Sequence, residues 1–134
     1  MQINHIHTSN ADLWVDEDAI AYITFKKGAY ETAETLKENA LAINYLNGDV
    51  GGNMVVVDIK NAKGVSLEAR NLSKAQTYIY VYKSVAIVVE NLLSRLLASF
   101  FIRFSVPGFP IKIFDNNLNA KDLLMKKKSL KWRL

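Results

Sequence analysis

The segment Asn53–Ser73 constrains the fold of this chain more than any other, because it encodes a strand, a turn and a helix in succession. It opens with the uninterrupted apolar run Met54–Val57, which is followed by Asp58. A polar loop with Gly64 comes next, and Ser66 then begins a stretch of residues that favour a helix. This succession is the repeating unit of an α/β sheet, so we expect the other segments to pack around it.

An edge strand and a hairpin are predicted before this unit. Gln2–Thr8 alternates in side-chain character, which is typical of a short edge strand. An acidic turn separates Leu13–Asp16 from Ala19–Lys26, and turn residues between two β-prone runs predict a β-hairpin. We expect Trp14 and Tyr22 to be packing aromatics and the acidic turn to be solvated.

A helix is predicted between the hairpin and the central unit. From Glu31 to Leu46, apolar residues recur every three or four positions and form one stripe. The Asn47-Gly48 pair then ends the helix. The charged residues that we expect to face water are Glu31, Glu34, Lys37 and Glu38.

A second buried strand follows the central unit. Val85–Val89 is apolar throughout, as expected of a parallel strand that is covered on both faces. Because parallel strands need a long crossover between them, we expect the helix that starts at Ser66 to continue to about Tyr80 and a turn to form at Lys83-Ser84.

The most apolar helix of the chain is predicted over Leu92–Phe104. Its leucines and phenylalanines form one broad stripe, and the other side consists of Ser94, Arg95, Ser99 and Arg103. This stripe and Phe109 could exceed what a small sheet covers, and such surplus usually marks a subunit interface or a ligand groove. Plain core packing is the alternative.

The remaining segments complete the predicted fold. The Pro107–Pro110 loop breaks the apolar helix, Ile111–Phe114 predicts a short strand, and about Leu118–Lys128 predicts a final helix. Together, the elements predict an α/β fold, in which a leading hairpin and alternating βα units form a single-layer mixed β-sheet with helices packed on it. At 134 residues the chain fits one domain.

The net charge of +4 comes from the tail, residues 126–134, which holds five basic residues and no acid. Residues 1–125 hold 12 basic and 13 acidic residues. A nucleic-acid-binding domain would spread its basic residues over a folded face, so we expect no nucleic-acid partner. We interpret the tail as a solvated helix end, with a weak contact to an acidic partner or membrane surface as the alternative.

Several cellular and chemical classes are excluded or disfavoured. The absence of cysteine excludes disulfides and cysteine-ligated metal sites. The first residues lack the pattern of a secretory signal, and no apolar run approaches the roughly 20 residues that span a bilayer. We therefore expect a cytoplasmic protein without integral membrane association.

Residues for catalysis or metal binding are scarce. There is no nucleophile elbow and no glycine-rich nucleotide loop. His5 and His7 would share one face of the edge strand, as two metal ligands can, but no third ligand is suggested nearby. The sequence therefore predicts an exposed histidine pair, no metal site, no cofactor and no enzymatic activity.

Polar residues follow the predicted carboxyl ends of the parallel strands, where ligands of open α/β sheets bind. Free backbone N–H groups at the helix start would favour an anion, including a phosphate on Ser66 itself. The residues that we expect to bind a partner or ligand are Asp58, Lys60, Ser66, Glu68, Arg70, Asn91 and Asp115. The structural alternative is that they serve as loop and cap residues.

Four segments after the leading hairpin carry a resemblance to a known family: VVVDI at 55–59, VSLEARNLS at 65–73, VAIVV at 85–89 and PIKIF at 110–114. With the closing helix, they resemble the STAS fold of anti-sigma-factor antagonists over nearly the whole chain. More closely, the layout is similar to small uncharacterised bacterial proteins of that fold. In STAS regulators, a partner kinase phosphorylates a serine of an Asp-Ser-Ser-Gly turn and so releases a bound anti-sigma factor.

This chain matches the STAS strand with Val55–Asp58 but lacks the Asp-Ser-Ser-Gly turn, and Ser66–Ala69 stands near its place. The resemblance implies a non-catalytic regulatory domain that binds a protein partner. Because related larger folds bind lipids in an apolar groove, a carrier or sensor of a small apolar ligand is one alternative. A homodimer with a structural role is the other.

Overall fold

The computed structural model describes residues 5–48, 53–73, 82–92, 94–96, 99 and 111–133. The strands are β1 (His5–His7), β2 (Ala11–Val15), β3 (Ala21–Phe25), β4 (Ala29–Glu31), β5 (Asn53–Asp58), β6 (Ala62–Val65), β7 (Tyr82–Val88) and β8 (Ile111–Phe114). The helices are α1 (Ala33–Asn47), α2 (Leu67–Ser73) and α3 (Asn117–Arg133). The backbone is also helical at residues 92, 94–96 and 99.

Six strands form one mixed sheet in the order β1-β2-β3-β5-β7-β8. The first three are antiparallel, with Trp14 opposite Tyr22, whereas β3, β5, β7 and β8 are parallel. The predicted hairpin, the edge strand and the α/β class are therefore confirmed. Asp58, at the end of β5, lies opposite Val88 at the end of β7.

Helices cover both faces of the sheet, which explains why its parallel strands carry apolar side chains at both odd and even positions. On one face, Ile23, Val55 and Ile87 pack with Ile43 of α1. On the other face, Val56, Val88 and their neighbours pack with Ala120 and Leu124 of α3. None of the described helices is long and apolar enough to cross a membrane.

Strands β4 and β6 form a separate two-stranded parallel ribbon that the sequence did not predict. Two expectations are consequently wrong: residues 62–65 are a strand and not part of a polar loop, and Glu31 lies in β4 and not in α1. Glu31 is also buried, at 9% exposure, although we expected it to face water. Each strand of the ribbon is too short to produce a readable periodicity.

Local hydrogen bonds fix the limits of α1. Thr32 Oγ1 accepts a hydrogen bond from Thr35 N at 3.2 Å, and Thr32 N donates to Thr35 Oγ1 at 2.8 Å, which is a reciprocal capping box. The helix ends at Gly48, whose φ of 73° is readily adopted only by glycine. The predicted end at Asn47-Gly48 is therefore confirmed.

The expected turn at Lys83-Ser84 is wrong, because both residues belong to β7 and Ser84 lies opposite Met54 of β5. The expected continuation of α2 to Tyr80 and the Pro107–Pro110 loop lie outside the described residues. The final helix is confirmed, although it extends beyond the predicted limits to Arg133.

Candidate functional site

The parallel strands β3, β5, β7 and β8 end at the same side of the sheet, which we call the carboxyl edge. Seven large apolar side chains are exposed among the described residues, and five of them lie on segments that follow these strand ends. These five, which we call the carboxyl-edge surface, are Tyr30, Leu67, Leu92, Leu96 and Leu118, each between 51% and 72% exposed. The other two, Leu41 and Tyr45, lie on the outer side of α1.

A glycine fixes the position of Tyr30 on the β4–β6 ribbon. Tyr30 lies opposite Gly64, and a Cβ atom added to Gly64 would be only 2.8 Å from Tyr30 Cε2. The ring therefore lies against the bare backbone of Gly64, where any other residue would displace it.

The ribbon also positions the start of α2. Ser66 N donates a 2.8 Å hydrogen bond to Glu31 O, and Ser66 Oγ accepts one of 3.0 Å from Ala69 N. Ser66 is therefore the N-cap of α2, as predicted. Leu67 and Glu68 are exposed in the first turn, whereas Arg70 is partly buried.

A buried polar cluster holds β4 in place beneath the carboxyl-edge surface. Glu31 Oε1 accepts hydrogen bonds from Asn10 Nδ2 at 2.9 Å, from Asn39 Nδ2 at 3.3 Å and from Thr35 Oγ1. Asn39 Nδ2 also donates to Asn10 Oδ1 at 3.0 Å, and Thr8 Oγ1 donates to Asn39 Oδ1 at 2.7 Å. This Glu31 cluster joins the β1–β2 turn, β4 and α1.

The charge of Glu31 is surrounded mainly by neutral groups. Burial raises the pKa of Glu31 above its ordinary value, and the hydrogen bonds from Thr35, Asn10 and Asn39 only partly oppose this effect. The nearby negative charge of Glu38 raises the pKa further. The cluster thus contains a carboxyl group that folding makes harder to ionise.

Asp58 and Lys60 close the turn after β5. Asp58 is buried; its Oδ1 accepts a hydrogen bond from Lys60 N at 3.0 Å, and its Oδ2 lies 3.3 Å from Lys60 Nζ. The side chain of Asp58 is thus engaged inside the protein, and Lys60 is the more accessible of the pair.

Asn91 caps the helical segment that follows β7. Asn91 Oδ1 accepts a 2.8 Å hydrogen bond from Ser94 N, and Ser94 Oγ accepts bonds from the Glu90 and Asn91 amides at 3.1 and 3.2 Å. Ser94 is consequently only 2% exposed. Our assignment of Ser94 to the polar, outward side of this helix is wrong, because its hydroxyl satisfies buried backbone groups.

The leucines next to Ser94 face outward. Leu92 and Leu96 are among the most exposed apolar side chains of the described structure. Plain core packing therefore does not account for them, and they form the surplus apolar surface that the sequence raised as a possibility. Leu96 neighbours Arg95, which forms an exposed ion pair with Asp115 at the end of β8.

The structure thus brings the predicted site residues to one side of the sheet, in separate local pairs. Asp58 bonds with Lys60, Asn91 with Ser94, and Asp115 with Arg95. Glu68 and Arg70 lie beyond the ribbon on α2. Within the described part of the chain, no three His, Cys, Asp or Glu side chains are grouped to hold a metal ion.

The opposite, amino edge of the sheet is closed by a charged network. Asp16 Oδ1 accepts hydrogen bonds from the Asp18 and Ile20 amides, and its Oδ2 accepts bonds from Tyr22 OH at 2.8 Å and Lys121 Nζ at 3.0 Å. Lys121 Nζ also lies 2.9 Å from Asp18 Oδ2. The hairpin turn is therefore tied to α3, and our expectation of a merely solvated turn is wrong for Asp16.

The network at the amino edge favours the charged form of Asp16. Partial burial raises the pKa of Asp16, but hydrogen bonds from Lys121, Tyr22 and two backbone amides outweigh burial and leave this pKa below its ordinary value. Burial and the adjacent carboxylate raise the pKa of Tyr22 to about 12. Asparagines at the same edge bond one another, with Asn47 Nδ2 2.7 Å from Asn53 Oδ1.

Comparison with solved structures supports the fold. An uncharacterised protein of the DUF3478 family from Shewanella loihica PV-4, which has a SpoIIAA-like fold, is similar to 89% of this chain and 99% of its own, with a TM-score of 0.55 and 22% identity. At this identity the likeness shows the fold alone, and it confirms the SpoIIAA-like, or STAS, architecture. The search of curated proteins gave no significant match. A family model matches residues 13–128, and the chain therefore belongs to DUF7793, a domain of unknown function.

Proposed function

We propose that this chain is a non-catalytic protein-interaction module and that it binds a protein partner through the carboxyl-edge surface. The main support is the exposure of Leu92 and Leu96 beside a buried Ser94. Most of the surface of both leucines is exposed to water and adds little to the stability of the fold, and exposed apolar groups of this kind usually mark an interaction site.

The surroundings of these leucines suit a protein partner. Lys60, Glu68, Arg95 and Asp115 supply charges of both signs near the strand ends. Protein interfaces commonly combine a few apolar anchors with a polar rim. The expected cytoplasmic location and regulatory role are part of this proposal.

Ser66 is the candidate for control of such an interface. Its hydroxyl lies next to the exposed Leu67, and a phosphate there would add nearly two negative charges beside an apolar contact. Phosphopeptide mapping of the protein from its own host tests this idea. Absence of the modification across growth conditions would remove Ser66 from the proposal.

The same exposed apolar residues are compatible with two further candidate functions. A second copy of the chain could cover them, which would make the protein a homodimer, and a small apolar ligand could bind against them. Native mass spectrometry separates these candidates, because they give a doubled mass and a small added mass, respectively.

Site-specific photo-crosslinking in the host tests the proposal directly. We would place a photoreactive phenylalanine derivative at position 92, and at position 45 as a matched control, since Leu92 and Tyr45 are both exposed on helices. We expect an adduct with a different protein from position 92 only. Equal adducts from both positions, or none from position 92, would contradict the proposed surface.

A further inference from the structure

The edge strand β1 presents two histidines on one face of the sheet. His5 and His7 are two residues apart, so their side chains point the same way. Both are exposed, and their ring centroids are 4.9 Å apart with planes inclined by 42°. The pair is therefore accessible to an ion from solution.

The separation of the rings matches that of two imidazoles that share a metal ion. A metal–nitrogen bond is about 2.1 Å long, and the ring centre lies roughly 1.1 Å beyond the nitrogen. At bond angles of about 90–110°, two ring centres then lie roughly 4.5–5.2 Å apart. The observed 4.9 Å falls within this range, so the spacing of the two rings is compatible with a shared ion.

Asp12 supplies the partner that a metal-bound histidine usually has. It lies opposite His7 in the β1–β2 register, and its Oδ1 contacts His7 Nδ1. A carboxylate that accepts a hydrogen bond from Nδ1–H leaves the lone pair of Nε2 free for a metal and orients the ring.

The sequence predicted no metal site at this pair, but the ring spacing and the contact of Asp12 with His7 favour one. We propose that His5 and His7 chelate one divalent transition-metal ion of the copper, nickel or zinc class, with Asp12 as the positioning residue for His7. Imidazole nitrogens favour these ions over magnesium or calcium, which prefer oxygen ligands. Because the described residues offer no group of three such side chains for a metal, water would occupy the other coordination positions. The site would therefore be open and exchangeable and not a closed structural site.

The indole of Trp14 provides a readout at the site itself. Its ring stacks on His5, with centroids 5.9 Å apart, and a paramagnetic Cu²⁺ ion on His5 would quench its fluorescence. The sequence has two tryptophans, so a Trp132→Phe background leaves Trp14 as the only one. We would titrate this variant with Cu²⁺ alone and then add EDTA.

We expect saturable quenching at one equivalent of Cu²⁺ that EDTA reverses. His5→Ala or His7→Ala should each weaken binding roughly 100-fold, because the second ligand of a chelate acts at high effective concentration. Asp12→Asn should weaken it about tenfold, because Asp12 orients the metal-binding ring of His7, whereas Glu34→Gln, at an exposed carboxylate on α1, should leave it unchanged.

Three results would overturn the proposal: quenching that does not saturate, wild-type affinity in either histidine variant, or an equal effect of Asp12→Asn and Glu34→Gln. Circular dichroism of each variant verifies that the fold is intact. Zn²⁺ does not quench and binds imidazole sites more weakly than Cu²⁺, so a large excess of Zn²⁺ should displace Cu²⁺ and restore the fluorescence. No recovery even at a large excess would also count against a shared imidazole site.

Discussion

The two edges of the sheet differ in what they present to solvent. At the amino edge, Tyr22 and Lys121 both bond Asp16, which ties the hairpin to α3. At the carboxyl edge, polar groups are also engaged in turns and caps, but Leu92 and Leu96 point outward. The comparison indicates that polar residues at both edges hold the fold, whereas apolar residues stay exposed at one edge, where we propose that a partner binds. Substitutions at the two edges should therefore separate stability from binding.

The largest loss of stability is expected in the Glu31 cluster, beneath the carboxyl edge. Asn39→Ala removes a fully buried amide and leaves the hydrogen-bonding groups of Thr8, Asn10 and Glu31 without it. We expect a decrease of about 3 kcal/mol in the free energy of unfolding, measured by urea denaturation. Lys37→Ala, on the same helix, is the control and should change little. A decrease below about 1 kcal/mol would show that the cluster is dispensable.

At the amino edge, Asp16→Ala should cost about 2 kcal/mol of stability, because several donors, including Tyr22 and Lys121, lose their acceptor. Asp16→Asn keeps an acceptor oxygen and should cost less. Both variants should bind the partner with unchanged affinity at a temperature where they remain folded. Impaired binding by a folded Asp16 variant would contradict the division between the two edges.

The pH dependence of stability should have opposite signs at the two carboxyl groups. Folding raises the pKa of Glu31, so its favourable contribution is present below its unfolded value near 4.5 and is lost as pH rises through the folded pKa. Folding lowers the pKa of Asp16, so its contribution is present above its unfolded value near 3.8 and is lost as pH falls through the folded pKa.

Urea denaturation between pH 3 and 8 tests these signs. Relative to Glu31→Gln, the wild-type protein should lose stability as pH rises above about 4.5. Relative to Asp16→Asn, it should lose stability as pH falls below about 3.8. Parallel curves for the wild type and either variant would mean that the corresponding group does not differ in pKa between the folded and unfolded states.

The smallest effect on stability is expected at Gly64. Gly64→Ala places a Cβ atom against the ring of Tyr30, which is the flexible and exposed side of the contact. We expect a change of about 1 kcal/mol or less in the free energy of unfolding and a displaced Tyr30 ring, visible in the NMR shifts of its ring protons. In a Tyr30→Ala background, Gly64→Ala should no longer change the free energy of unfolding. If the change persists, its cause lies in the backbone of the ribbon and not in the contact with the Tyr30 ring.

Much of the fold was predictable because its signals are local. The apolar run of β5, the capping residue Ser66 and the stripe of α1 each occupy consecutive or periodic positions. The ribbon was not predictable, since β4 and β6 are three and four residues long and pair across more than 30 residues. The burial of Glu31 likewise depends on Asn10 and Asn39, which lie 21 and 8 residues away in sequence.

For the candidate site, the sequence analysis and the proposed surface concern the same edge of the sheet, but the sequence analysis emphasised polar residues. Topology fixes the edge, because parallel strands end together. The orientation of the helix after β7 depends on the cap between Asn91 and Ser94, which buries a serine and exposes two leucines. A periodicity analysis instead places the serine on the polar side and the leucines on the apolar side of the helix, because it takes no account of hydrogen bonds at a helix start.

The most direct test of the account is the affinity of the crosslinked partner for three forms of the protein. Leu92→Ser/Leu96→Ser alters the carboxyl edge, and Leu41→Ser/Tyr45→Ser alters an exposed helical pair of the same spacing on α1. By isothermal titration calorimetry, we predict roughly 100-fold weaker binding for the first double variant and wild-type affinity for the second. Equal affinities of all three forms, or a loss confined to the α1 pair, would contradict the assignment of the carboxyl-edge surface as the binding site.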